Sequence, residues 1–195
     1  MSETKPYHHG DLREQLLQAG EQALAEMPMA QVSLREIARK AGVSHAAPKH
    51  HFPTLGDLMG EIAARGFQRF VAALDEAANS ITPQTAENRL LAMGRAYLRF
   101  AEVNSAVYTL MFDQRDSCSM TPHLVETSLE AWGQLENAVA ALRVSGNASI
   151  GAMFVWSTVH GLAMLKSTHR LPPHLTLHAV EENTLRMIVT GIATL

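Results

Sequence analysis

The sequence predicts an all-α protein with a short N-terminal unit on a larger helical body. Apolar residues make up 47% of its 195 residues and charged residues 18%, which is the balance of a folded globular chain. Ala, Leu, Met, Glu and Gln dominate the segment interiors, while Gly and Pro stand mostly at segment edges. Apolar residues recur at helical spacing without strand-like alternation, so we expect about nine helices.

The first predicted helix begins at Asp11, a residue that can cap it, and runs to about Met27. A second helix begins at Ser33, because Ser33-x-x-Glu36 has the spacing of a capping box, in which two backbone donors are satisfied reciprocally. Gly42 is expected to end this helix, since glycine accepts the left-handed backbone found at helix ends.

Further helices are predicted along the rest of the chain. A short one, Ser44–His51, is capped by its first residue and tolerates Pro48 near its start. Pro53-Thr54 then opens a long helix that runs to about Ala78. The remaining helices are expected at about residues 84–103, 104–113, 122–143, 147–169 and 176–193, with a polar loop at 114–120.

Residues 33–52 have the pattern of a helix-turn-helix: a capped helix, a glycine turn and a short element with small residues on its outer face. Small side chains there allow close approach to base edges in the major groove. Base contacts are expected from the Ser44 and His45 side chains and from the methyl groups of Ala46 and Ala47. The predicted DNA-contacting residues are Ser33, Arg35, Ser44, His45, Ala46, Ala47, Lys49, His50 and Thr54.

Net charge alone does not identify a DNA-binding protein here. The net charge is −3, and residues 1–52 hold six basic and six acidic side chains, whereas residues 35–51 hold four basic and one acidic. Positive charge is therefore local, and Arg35, Lys49 and His50 are the side chains expected on phosphates. The same spacing also fits a plain helical hairpin whose basic residues form a solvated face.

Several of these segments resemble, in order and separation, the N-terminal domain of TetR-family regulators. The matching runs are Tyr7-His8-His9-Gly10-Asp11-Leu12-Arg13, Ser33–Gly42, Val43-Ser44-His45-Ala46-Ala47-Pro48 and His51-Phe52-Pro53, within about residues 7–75. The resemblance implies a DNA-binding domain over residues 1–54 and a ligand-binding and dimerisation domain over residues 55–195. It further implies a homodimer on a palindromic operator, most often a repressor that responds to a small-molecule effector.

Three positions depart from the family pattern. Lys49 stands where the family usually has an aromatic residue, Leu55 where it has a lysine, and His50 where arginine is common. Lys49 can still contact phosphate but Leu55 cannot, so one contact to the DNA backbone is expected to be lost. His50 adds the hypothesis that DNA binding depends on pH more than is usual, because histidine changes charge near neutral pH.

The run Trp156-Ser157-Thr158-Val159-His160-Gly161 is similar to the Trp…His-Gly signature of one TetR subgroup. Trp156 and His160 are four residues apart and share a helix face, while Gly161 permits close helix approach. The alternative is that Trp156 is a core residue and His160 an interior, hydrogen-bonded histidine.

An effector pocket between the C-terminal helices is expected to be built from aromatic and methionine side chains with a few polar groups. For each candidate, ordinary core packing is the alternative role. The candidates are Tyr97, Phe100, Tyr108, Met111, Phe112, Trp132, Met153, Trp156, His160 and Met164.

The segment Val144–Leu165 carries no charge. Its Ser, Thr, Asn and His residues and three glycines make a membrane span a poor interpretation. In the TetR family the last two helices form a four-helix interface between two protomers, which accounts for an uncharged helix here. We therefore expect a homodimer through the last two helices and no membrane partner.

Other function classes are disfavoured by the residues. The sequence contains no nucleophile elbow, metal-binding helix or phosphate loop, so neither catalysis nor a cofactor is expected. Cys118 is the only cysteine and no secretory signal is found, which together fit the cytoplasm; a redox switch is the alternative to an inert Cys118 thiol. His123, His169, His174 and His178 lack metal-ligand spacing with Cys118. A ligand-binding module without DNA activity is the main alternative, because the N-terminal unit has no net charge.

Overall fold

The computed structural model describes residues 9–112, 115–143 and 146–192, and within these ranges the chain forms eight α-helices, three short 3-10 turns and no strand. The helices are α1 His9–Glu26, α2 Leu34–Lys40, α3 Leu55–Ser80, α4 Ala86–Val103, α5 Ser105–Phe112, α6 Pro122–Ala140, α7 Ala148–Ser167 and α8 Leu177–Ile192. The expected all-α fold is confirmed. Tyr7, His8 and Val144, which entered the sequence interpretation, lie outside the described residues.

Contacts within the chain define two compact units. Unit 1 is Met1–Gly66 with Ala106–Val125, and unit 2 is Phe67–Ser105 with Glu126–Leu195. Helices α3 and α6 therefore contribute residues to both units. The predicted boundary after residue 54 separates a DNA-binding from a ligand-binding domain. It divides the chain by function, whereas the two units divide it by contacts, so that boundary stays a prediction.

In unit 1, helix α1 packs closely against the first half of α3. The contact is centred on Gly20, where a Cβ atom would lie 2.6 Å from Cδ1 of Ile62 and 2.9 Å from Cδ2 of Leu58. Around it lies a fully buried core of aliphatic side chains and one methionine: Leu16, Leu17, Ile37, Leu58, Met59 and Ile62. Because α1 already begins at His9, Asp11 lies inside its first turn, and the predicted cap at Asp11 was wrong.

Ion pairs on the flank of this core join the same two helices. Arg13 pairs with Glu61, and Arg65 Nη1 donates to Glu14 Oε1 at 2.9 Å. The Arg65 hydrogen bond lowers the pKa of the Glu14 carboxyl below its usual value. These pairs and the buried core hold α1 on α3, the arrangement on which α2 and the following turn rest.

In unit 2, helix α4 packs against α7 and α8, and α7 packs against α8. Gly94 of α4 lies under Leu185 of α8, where an added Cβ would collide with the leucine side chain. Helix α7 keeps one face outside this core: Ile150 is 66% exposed and Phe154 42%. By length and composition α7 could cross a membrane, and 33% of its most apolar window is buried within the chain.

Candidate functional site

Helix α2 begins as the sequence predicts, with one difference in its cap. Ser33 has extended backbone and its Oγ accepts a hydrogen bond from the Glu36 amide at 3.2 Å. The predicted reciprocal hydrogen bond, from the Ser33 amide to the Glu36 carboxylate, was wrong. The Glu36 carboxylate oxygens instead accept from Arg39, at 2.9 Å from Nε and 2.6 Å from Nη2, because the two residues are three apart on the helix surface.

Gly42 ends α2 as predicted. Its φ is +69°, the left-handed region that costs an ordinary side chain conformational strain. Its amide donates to the Arg39 carbonyl at 3.2 Å, and the Val43 amide donates to the Ala38 carbonyl at 3.0 Å. This pair of bonds satisfies the carbonyls at the helix end and fixes the direction in which the chain leaves α2.

The element after this turn is shorter than the predicted helix Ser44–His51. It is a single 3-10 turn, Ala47–His50, with Ala46 rather than Ser44 in the cap position. Pro48 explains the difference, because an α-helix beginning at Ser44 needs a bond from the residue-48 amide to the Ser44 carbonyl. Proline has no amide hydrogen, and its ring would crowd that carbonyl. The Ala47 amide donates to the Ser44 carbonyl instead, at 3.0 Å.

Two apolar residues anchor this turn to unit 1. Pro48 is buried, and Phe52 is 2% exposed. The Phe52 amide donates to the Pro48 carbonyl at 2.8 Å, and the Arg13 guanidinium lies 5.3 Å from the centre of the Phe52 ring. The inner side of the turn is thereby fixed, while Lys49 and His50 are exposed.

The four cations of residues 35–51 are not equivalent. Arg39 is bound to Glu36, and Lys40 is bound to Glu26, with only 9% of the Lys40 side chain exposed. Arg35 and Lys49 are exposed and form no ion pair within the described part of the chain. This division was not predicted from the sequence, although the three-residue spacing of Glu36 and Arg39 was a usable signal.

The predicted DNA-contacting residues lie together on the surface of unit 1, with differences in detail. Eight of the nine are exposed and Ala47 is half-buried. The hydroxyls of Ser33 and Thr54 are engaged in helix caps, since Thr54 Oγ1 accepts from the Asp57 amide at 3.1 Å. The Thr54 hydroxyl, followed by Ser119, lowers the pKa of Asp57 below its usual value.

Part of the predicted effector pocket forms an aromatic cluster in unit 2. The Tyr97 hydroxyl lies 2.9 Å from His160 Nδ1. The centre of the Trp156 ring lies 6.0 Å from the centre of the His160 ring and 6.2 Å from that of the Trp132 ring. Phe70, which the sequence analysis did not single out, packs edge-on against Tyr97 at 5.1 Å and against Phe100, also a predicted pocket residue, at 5.2 Å. These rings fill the space between α3, α4, α6 and α7 in that unit.

The other predicted pocket residues named here are on α5 and on the outer face of α7. Tyr108 and Phe112 are on α5 in unit 1, with their rings 4.9 Å apart. Met153 is 48% exposed on the outer face of α7. Gly161 lies on α7 as well, and no atom in the described part of the chain comes within 4 Å of the position its Cβ would take. Close helix approach at Gly161 therefore does not occur among the residues that the structure describes.

A capped helix, a left-handed glycine turn, an exposed second element and the unpaired cations Arg35 and Lys49 define a helix-turn-helix DNA-binding protein. Residues 16–62 match the tetR family of bacterial regulatory proteins, and residues 90–195 match the tetracyclin repressor-like C-terminal domain. The chain belongs to the TetR family of transcriptional regulators. The Trp…His-Gly subgroup stays a prediction.

Several solved structures share the fold over nearly the whole chain. A protein of unknown function from Rhodococcus sp. RHA1 is 32% identical with a TM-score of 0.85, covering 98% of this chain and 100% of that one. A transcriptional regulator from Rhodococcus sp. Rha1 is 25% identical with a TM-score of 0.70, covering 94% and 98%. The TetR family transcriptional regulator PfmR from Thermus thermophilus is similar in fold, at 20% identity and a TM-score of 0.67, covering 91% and 98%. Comparison with curated protein sequences gives no significant match.

Proposed function

We propose that the protein is a cytoplasmic repressor that binds a palindromic operator as a homodimer and releases it when a small molecule binds. One observation carries the DNA-binding part of this proposal. The exposed cations Arg35, on α2, and Lys49, on the 3-10 turn, come before and after the exposed Ser44, His45 and Ala46 in the chain. All five belong to the helix-turn-helix segment, whose second element such proteins place in the major groove.

The chemistry of these residues supports two kinds of DNA contact, one to phosphates and one to base edges. Arg35 and Lys49 have no internal ion pair to give up, so they are available to phosphates, which fix the position of the protein on the duplex. Ser44 and His45 offer hydrogen-bonding groups to base edges, and Ala46 offers a methyl group. Arg39 and Lys40 are assigned no phosphate contact, because each already neutralises a carboxylate.

The proposed dimer rests on the outer face of α7. Ile150, Phe154, Gly161 and Leu165 follow one another at helical spacing, and the three large side chains are 42–66% exposed. Leaving such a face in water is unfavourable, and a second copy of the same face would bury it under two-fold symmetry. Gly161 would then allow the two helices to approach closely. Two-fold symmetry in the protein in turn calls for a palindromic operator.

The effector is proposed to bind in unit 2 and to favour a conformation unsuited to the operator. The aromatic cluster of Tyr97, Phe100, Trp132, Trp156 and His160 is the site suggested by the sequence. Because these rings pack against one another, an effector there must separate rings that are already in contact.

The proposed function is tested by selecting DNA from a random duplex library with the full-length protein. We expect enrichment of a palindrome and a gel shift of that palindrome as a complex of two protomers. If no sequence is enriched and no duplex shifts at low salt, the protein does not regulate transcription by this route. Ligand binding without any DNA binding would then favour a ligand-binding module.

A further inference from the structure

We infer that a polar cavity in unit 2 binds the effector, and that the effector is a small molecule carrying both a carboxylate and an ammonium group. The assignment as an effector site rests on the proposed function. The cavity lies between the end of α3, the start of α4 and the end of α6, and its volume is about 430 Å³. Ligand sites for small molecules commonly have volumes of about 300–1,000 Å³.

The cavity exists because short side chains line it. Ala78, Ala86 and Ala138 come from three helices and Ala141 from the turn after α6, and each side chain ends at Cβ. Met93, which is 6% exposed, supplies an apolar wall. The lining therefore leaves room for a ligand with a short apolar body, without any rearrangement of the aromatic cluster.

Gln134, which lines this cavity, carries a buried hydrogen-bond acceptor that lacks a donor. Its Nε2 donates to the Val71 carbonyl at 3.2 Å and to Asp75 Oδ1 at 2.6 Å. Both neighbours can only accept, so they fix which end of the amide carries the nitrogen. Gln134 Oε1 is fully buried and has no hydrogen-bond partner among the described residues, so a ligand N–H group reaches this oxygen only after the Gln134 side chain turns.

The cavity also holds one cation and one anion that are not paired with charged groups. Arg89 Nη1 donates to the neutral amide oxygen of Gln84 at 3.2 Å, and Asp75 accepts from the neutral amide of Gln134. Neither residue forms an ion pair within the described ranges. A ligand carboxylate is suited to the exposed Arg89 guanidinium, while a ligand ammonium is suited to the exposed Asp75 carboxylate.

This position offers a route to regulation. Asp75 and Ala78 belong to α3, the helix that contributes residues to both units and whose first turn follows the DNA-binding segment directly. A ligand that binds better to one arrangement of α3 than to another shifts the population toward that arrangement.

The inference is tested by calorimetric titration of the DNA-free protein with a panel of L-amino acids. Each amino acid is compared with the amine that lacks its carboxylate and with the acid that lacks its ammonium. We expect at least one amino acid to bind, and its two partial analogues to bind about tenfold more weakly or worse, because each loses a charge-assisted hydrogen bond.

Two variants locate the binding. Arg89→Gln removes the cation, and Ala141→Leu fills the cavity without changing its charge. We expect each to weaken binding about tenfold or more. Arg99→Gln is the matched control, because Arg99 is exposed on the same helix outside the cavity lining, and it should leave binding unchanged. Circular dichroism verifies that each variant is folded.

The inference is overturned if no amino acid binds, or if Arg89→Gln and Ala141→Leu both bind as the wild type does. It is equally overturned if only apolar compounds bind and substitution of Trp156 abolishes that binding. The titration contains no DNA, so a failure of the regulator proposal, seen as absent operator binding, is measured separately.

Discussion

Lys40 of α2 is ion-paired with Glu26 at the end of α1, and only 9% of the Lys40 side chain remains exposed. Arg39 is likewise bound to Glu36. Half of the positive charge that makes residues 35–51 basic in the sequence is therefore neutralised within the protein. The affinity for DNA must then depend on few residues, and Lys49 is the one among them that lies on the turn itself.

Lys49→Ala is expected to weaken binding to every DNA sequence and to reduce the salt dependence of the dissociation constant by about one unit of log–log slope. The reason is that one fewer phosphate contact releases one fewer counterion. Fluorescence anisotropy between low and moderate salt measures the slope. Lys40→Ala is the control, and an equal loss of slope in both variants would contradict the division of the cations.

His45→Ala is expected to alter the preference among sequences while leaving the salt slope unchanged. His45 is exposed beside the turn that is proposed to face base edges, where a lost base contact changes discrimination by about 1–3 kcal/mol. Repeating the DNA selection with the variant measures this preference. Unchanged preference at every operator position would remove His45 from base recognition.

Gly42→Ala is expected to destabilise the protein by about 1–2 kcal/mol, because an alanine in the left-handed region strains the backbone. No atom in the described part of the chain lies within 4 Å of the added methyl group, so the effect isolates backbone conformation. Urea unfolding measures it. Gly133→Ala, also free of neighbours but inside α6, should instead stabilise by about 0.5–1 kcal/mol. If Gly42→Ala and Gly133→Ala lower the free energy of unfolding by similar amounts, the left-handed conformation of Gly42 is refuted.

Phe154→Glu is expected to convert the dimer into a monomer, since it places a charge in the proposed α7 interface. Sedimentation equilibrium measures the mass. Val103→Glu is the matched control: Val103 is 69% exposed on α4, away from that face, and its variant should keep the dimer mass. A dimeric Phe154→Glu protein would show that the two copies meet elsewhere.

Cys118 is expected to react slowly in the native protein. Burial raises the pKa of its thiol from 9.0 to about 11, so the reactive thiolate is scarce at pH 8. Labelling with a disulfide reagent should be on the order of tenfold to a hundredfold slower than in urea. The stability gained from the protonated thiol is complete below pH 9 and is lost as the pH rises toward 11. If the native protein is labelled as fast as the protein in urea, the thiol is reactive, which would favour the redox switch.

The sequence was sufficient to predict local structure wherever a single residue determines it. Ser33 and Gly42 were assigned correctly because a helix cap and a left-handed turn each depend on a residue type at one position. Pro48 was recognised but its effect was underestimated, since the carbonyl that its ring would crowd belongs to Ser44, the residue chosen as the cap.

Contacts between distant helices could not be predicted in this way. The pairing of Lys40 with Glu26 joins two helices, and the position of Phe70 beside Tyr97 depends on how α3 meets α4. The polar cavity depends on four alanines, three of them from three different helices, and an alanine gives no sign of what lies opposite it.

The central claim, that this protein recognises a specific operator as a dimer, is tested most directly by titrating two duplexes at one physiological salt concentration. One duplex carries the selected palindrome and the other the same bases in scrambled order. We predict that the palindrome binds at least about a thousandfold more tightly, with two protomers per duplex. Equal affinity for both duplexes, or one protomer per palindrome, would contradict the claim.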